Sequence, residues 1–110
     1  MLNEKDLIAI NSRFSNGNVV NRNSLKYSID LVKRTNSWIK QLAHLVRAIL
    51  IDHLFEEGNK RSCAAILSYY LDENSYSYKP EDVNKVIVKI LKDNITDINK
   101  IERLIENVIK

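Results

Sequence analysis

WIKQLAHLVRAILIDHLFEEGNKRSCAAILSYYLD, Trp38 to Asp72, carries two apolar-periodic runs joined by the nine residues His53-Leu54-Phe55-Glu56-Glu57-Gly58-Asn59-Lys60-Arg61. In the first run Trp38, Ile39, Leu42, Leu45, Val46, Ile49, Leu50 and Phe55 make a wide apolar surface at helical spacing. That pattern predicts a long, buried central helix from Trp38 to about Glu57, with Ser37 as its N-cap. Gly58 suits the left-handed position that ends such a helix. Asn59 to about Asp72 reads as a second buried helix, whose Ala64 and Ala65 permit close approach to a neighbour. The charges in the joint run against helix electrostatics. Asp52, Glu56 and Glu57 crowd the expected negative end of the first helix, while Lys60 and Arg61 open the positive end of the second. A local rule broken twice in one turn points to a site that binds something.

Outward from this pair the chain reads as further helices. Glu4 to Arg13 is a short one, with Leu7, Ile8 and Ile10 inward. Asn16-Gly17 between apolar residues signals a tight turn or short hairpin over Phe14 to Val20. Ser24 is a candidate cap for a helix to about Lys33 bearing Leu25, Ile29 and Val32. Pro80 suits a first helical position, ahead of Val83, Val86, Ile87, Ile90 and Leu91. Asp93-Asn94 breaks that helix. Thr96 then starts a last one, with Ile98, Ile101, Ile105 and Val108 as a core stripe or, less favoured, a homo-oligomer seam. The expectation is an all-α bundle of about six helices forming one domain over residues 1–110, with a short N-terminal hairpin or loop.

Composition narrows the classes. With 45% hydrophobic residues, 2 Gly and 1 Pro in 110 residues, the chain is too apolar for disorder and too poor in turn formers for a many-stranded sheet. The net charge of +3 comes from 17 Lys+Arg against 14 Asp+Glu, with the basic residues dispersed. No basic stripe favours nucleic acid. The apolar runs are too short to span a membrane, and one cysteine cannot form an internal disulfide, so a cytoplasmic location is expected. Cys63 and Trp38 read as packing residues, and His44 as a partly buried structural one. Tyr69, Tyr70, Tyr76 and Tyr78 divide between packing and a substrate groove.

The joint holds the parts of phosphoryl-group chemistry. His53 can take a proton from a hydroxyl near neutral pH. Glu57 lies one helical turn from it if the helix persists, and its carboxylate can bind a hard cation such as Mg²⁺. Gly58 allows close backbone approach to a phosphate. Asn59 contributes an amide at the next helix start, Lys60 a mobile charge, and Arg61 a two-point grip on phosphate oxygens.

These nine residues resemble the signature of the Fic/Doc (Fido) family, His-x-Phe-x-Asp/Glu-Gly/Ala-Asn-Gly/Lys-Arg, and match every defined position. The usual Pro after the His is Leu54 here. Ala48-Ile49-Leu50-Ile51-Asp52 and Cys63-Ala64-Ala65-Ile66-Leu67 resemble the helices that flank the motif. Arg13-Phe14 with Val20-Asn21-Arg22 is similar to an N-terminal segment of small Doc-like members.

The resemblance implies an all-α Fido domain that moves a phosphate-containing group from ATP, or another nucleoside triphosphate, to a hydroxyl on a target protein. By position, His53 would be the base and Phe55 the anchor of the loop. Glu57 would bind Mg²⁺, and Gly58, Asn59, Lys60 and Arg61 would hold phosphate. AMP-transferring members often carry Gly where Lys60 stands, and a second Arg where Ala64 stands. Both features lean towards the Doc (death-on-curing) branch of toxin–antitoxin systems, whose toxin member phosphorylates a translation factor. Protein AMP transfer and a non-catalytic interaction module are the alternatives. No inhibitory Ser/Thr-x-x-x-Glu-Gly/Asn segment is visible, so restraint would fall to an antitoxin-like partner or to self-association.

Overall fold

In the computed structural model, which describes residues 2–109, the chain forms six α-helices. They are α1 (Glu4–Ser12), α2 (Arg22–Arg34), α3 (Trp38–Leu50), α4 (Asn59–Glu73), α5 (Pro80–Lys92) and α6 (Ile98–Glu106). The described residues contain no strand beyond one isolated bridge between Val19 and Phe55, so the all-α expectation holds. No helix among them is long and apolar enough to cross a membrane.

Helix α3 is the axis of the bundle, packed chiefly on α4, α2 and α6. Leu42, Ala43, Leu45, Val46 and Ile49 are fully enclosed, and each large side chain among them contributes roughly 1.5–3 kcal/mol by leaving water. Ser37 caps α3 by accepting the Lys40 amide, as its position predicts. Helix α1 lies across α4. Its start is a full capping box between Asn3 and Asp6.

Three element boundaries and one connecting segment differ from the sequence reading. Helix α3 stops at Leu50 instead of continuing to Glu57. Its last turn widens, with the Asp52 amide reaching back to the Arg47 carbonyl at 3.3 Å, and His53 then turns the chain at φ 52°. Asp52 is drawn aside by the Ser24 hydroxyl, at 2.8 Å, and by Arg47, at 3.7 Å. Ser24, thus engaged, does not cap α2; Asn21 does, accepting the Ser24 amide at 3.2 Å. Asp97, not Thr96, caps α6. The Phe14–Val20 segment does not fold on itself as a hairpin. It pairs instead with the nine-residue joint.

Candidate functional site

The joint leaves α3 as a loop from Ile51 to Gly58, and three anchors shape it. The first is Phe55, wholly buried beside the wholly buried Leu54, as expected for a residue that fastens the loop to the core. The second is backbone pairing with the α1–α2 segment. The Leu54 carbonyl accepts the Val20 amide at 2.9 Å and the Asn21 amide at 3.3 Å, and the Glu56 amide donates to the Asn18 carbonyl at 2.9 Å. The third is Asn59. Its side-chain oxygen accepts the Phe55 amide at 3.0 Å, and its side-chain nitrogen donates to the Phe55 carbonyl at 2.9 Å. The Asn59 side chain is therefore buried and committed to the loop. Its backbone amide lies in the first turn of α4.

His53 stands exposed on this loop with positive φ, a conformation that costs a residue with a β-carbon free energy and that clusters at functional sites. Its Nδ1 lies 3.4 Å from Asn59 Nδ2. Because the paired bonds to Phe55 fix the Asn59 amide, an N–H is what faces Nδ1. At this length the contact does not fix the tautomer of the ring. The expectation that His53 and Glu57 share a helix face fails with the early end of α3. The loop nevertheless brings both to one cleft.

That cleft has a volume of about 590 Å³ and is lined by Phe14, Ser15, Leu50, His53, Glu56, Glu57, Gly58, Asn59, Lys60, Arg61 and Leu91. Every site residue expected from the sequence borders it except Phe55, which lies beneath. Its floor is the start of α4. The first intrahelical bond there is Ser62 to Gly58 at 2.9 Å, and no side chain caps the turn. The amides of Asn59, Lys60 and Arg61 thus precede the helical ladder, and the positive end of the dipole opens into the cleft. The first turn of α4 holds no acid, and Lys60 and Arg61, both exposed, make no ion pair among the described residues. Half of the charge conflict therefore persists as an electropositive helix start. The other half is reduced, because Glu56 and Glu57 lie beyond the end of α3 and Asp52, still next to its C-cap, is held by Ser24 and Arg47.

Gly58 is required on two grounds. Its φ is 78°, and a β-carbon there would come within 3.0 Å of Ser15 Cβ and 3.1 Å of Asn11 Nδ2. These neighbours belong to a brace the sequence reading missed. Asn11, wholly buried on α1, donates from Nδ2 to the Glu57 carbonyl at 3.0 Å and to Ser62 Oγ at 2.9 Å. Its Oδ1 accepts the Gly17 amide at 2.9 Å. Ser15 Oγ donates to Glu57 Oε1 at 3.1 Å, and Asn18 Nδ2 donates to Glu56 Oε2 at 2.7 Å. The legible signal was Asn11 itself, a polar residue one turn after the inward Leu7.

Among the described residues no three His, Cys, Asp or Glu side chains gather as a metal-ligand set. The cleft offers Glu57, whose Oε2 has no hydrogen-bond partner among the described residues. Mg²⁺ keeps several waters and commonly takes one or two carboxylates plus substrate phosphates. The donor set therefore fits Mg²⁺ arriving with a nucleotide, and does not fit a metal held by protein side chains alone.

None of Tyr69, Tyr70, Tyr76 and Tyr78 borders the cleft. Tyr76 packs on Trp38 with ring centroids 5.5 Å apart, at the rim of the core. The Tyr70 hydroxyl is buried with no hydrogen-bond partner among the described residues, and burial pushes its pKa up to about 12. Cys63 is enclosed in the core, where burial drives its thiol pKa upward and away from nucleophilic use. His44 is half-buried on α3. Burial lowers its pKa first, then Lys40, with Glu102 opposing and Arg47 adding a little. Compared with protein-family models, with curated proteins and with solved structures, the chain finds no match.

Proposed function

We propose that this chain is a Fic/Doc-type transferase that moves a phosphate or nucleotide group from ATP to a hydroxyl of a target protein, with phosphate transfer favoured. The observation that carries the reading is the convergence of His53, Glu57 and the uncapped, cation-bearing start of α4 on one cleft. The nine-residue motif supports the family; the cleft supports the chemistry.

The open amides of α4, with Lys60 and Arg61, bind phosphate oxygens and offset the charge that gathers there during transfer. Mg²⁺, when bound at Glu57, adds further charge neutralisation. The target hydroxyl enters beside His53. Its oxygen bonds to phosphorus as the bond to the leaving phosphate oxygen breaks, and its proton passes to whichever imidazole nitrogen is unprotonated. Lys60 adds positive charge at the helix start, and Ala64 provides no second guanidinium one turn on. Both favour a phosphate chain that presents its γ-phosphorus to the hydroxyl.

Incubation with cell extract and α- or γ-labelled ATP, followed by mass spectrometry, tests this. Phosphate gained from γ-labelled ATP supports the favoured branch, and Lys60→Gly should reduce it. AMP gained from α-labelled ATP replaces phosphorylation with AMP transfer. Label from neither nucleotide, under conditions that bind ATP, refutes the enzyme and leaves an interaction module.

A further inference from the structure

The Glu57 carboxylate does not hang freely over the cleft. Ser15, contributed from 42 positions earlier in the chain, donates its hydroxyl to Oε1 at 3.1 Å, while Oε2 has no hydrogen-bond partner among the described residues. The serine is itself fixed. Its β-carbon lies against Gly58, where an added side chain would meet it at 3.0 Å. Its amide donates to the Asn11 carbonyl at 2.8 Å. The wholly buried Asn11 holds the Glu57 carbonyl from the other side, at 3.0 Å. Backbone and carboxylate of the same glutamate are thus gripped by Asn11 in the last turn of α1 and by Ser15 in the loop that follows it. Glu56 is held by Asn18 alone, its amide donating to the Asn18 carbonyl at 2.9 Å and its Oε2 accepting from Asn18 Nδ2 at 2.7 Å.

We infer that Ser15 is a positioning residue for Glu57, holding Oε1 so that Oε2 is presented to the divalent cation that accompanies a nucleotide. This rests on the reading of Glu57 as the cation ligand. A carboxylate with one oxygen tethered keeps fewer rotamers, so less freedom is lost when the cation binds. Partners that orient a ligating carboxylate in this way commonly change metal affinity by roughly 10–100-fold when removed. The tether here is partly exposed, which places the expected effect near the lower end.

The test separates orientation of the carboxylate from damage to the anion cradle. Binding of a non-hydrolysable ATP analogue is measured by calorimetry, with Mn²⁺ and with the metal chelated, and the gain in affinity due to Mn²⁺ is compared across variants. Ser15→Ala should reduce that gain by roughly 10-fold while leaving metal-free binding unchanged. Ser15→Thr, which keeps the hydroxyl, should restore it, and Asn18→Ala should not alter it. Equal losses with and without Mn²⁺, or an unchanged gain in Ser15→Ala, overturn the inference. Glu57→Gln distinguishes the two levels of failure. If Glu57→Gln removes the gain and Ser15→Ala keeps it, only the role of Ser15 falls. If Glu57→Gln also keeps it, Glu57 is not the cation ligand and the inference falls with that reading.

Discussion

His53 carries a conformational cost that can be measured apart from its chemistry. At φ 52° its β-carbon crowds the backbone, at roughly 1–2 kcal/mol for a residue other than glycine. Glycine removes that cost but loses about 0.5–1 kcal/mol through its extra freedom in the unfolded chain. His53 is exposed, and its one side-chain hydrogen-bond approach among the described residues is the loose 3.4 Å one from Asn59, so truncation removes little packing. His53→Gly should therefore be more stable than the parent by about 0.5–1 kcal/mol, a rise in Tm of roughly 2–5 °C at this chain length. His53→Ala retains the left-handed cost and should stay within about 0.5 kcal/mol of the parent. Both variants should lose transfer to protein. Calorimetric melting with the labelled-ATP assay reads the two effects on the same samples. A glycine variant no more stable than the alanine variant refutes the strain, and wild-type transfer by either refutes His53 as the base.

Asn59→Ala removes both bonds to the Phe55 backbone in a buried setting and should cost about 2–4 kcal/mol in urea unfolding, much more than loss of an exposed amide. Arg61→Ala should weaken binding of ATP or inorganic phosphate far more than Arg34→Ala, because Arg34 already pairs with Asp30 at 2.9 Å; superimposable titrations would remove the anion cradle. The half-buried His44 has its pKa lowered below 6.5, so the unfolded chain takes up this proton first. Its contribution is fully present above that value and is lost as pH falls below it. The parent should therefore lose more stability than His44→Gln between about pH 7.5 and 5.5, and parallel profiles would show that His44 is not responsible.

The helices were legible because periodic burial determines them. Leu25, Ile29 and Val32 on α2, and Val83, Val86, Ile87 and Ile90 on α5, all turn inward as their spacing predicts. Phe55, the left-handed backbone of Gly58 and the cation-bearing start of α4 were legible because motif and local backbone physics agree there, although Gly58 precedes α4 as its N-cap and does not end α3. What escaped were choices between equal local candidates. Asn21 and Ser24 are both good caps, and the choice was made by Asp52, 28 positions from Ser24, which recruits the serine hydroxyl. The end of α3 escaped for a related reason. Apolar periodicity continues through Leu54 and Phe55, but those side chains reach the core from a loop. Asn11 stood out only as a polar residue on an inward face, and neither it nor Ser15 could be tied to the site, because their Glu57 partner lies more than 40 positions away.

The brace on Glu57 and Gly58 gives the site a lifetime distinct from that of the protein. Within α1 only Leu7 and Asn11 are buried, whereas α3 and α4 each bury seven residues. A segment with so little enclosed surface opens by local unfolding at a lower free energy than the whole domain. Such an opening would unhook the Glu57 carbonyl and carboxylate together and withdraw Ser15 from Gly58, with the α3–α4 pair still intact. Amide protons of Gly17 and Val20 should then exchange with solvent well before those in the middle of α3. The fraction of molecules with the cleft assembled at any instant should then follow the docking of α1, so this helix would act on the cleft through time as well as through contact.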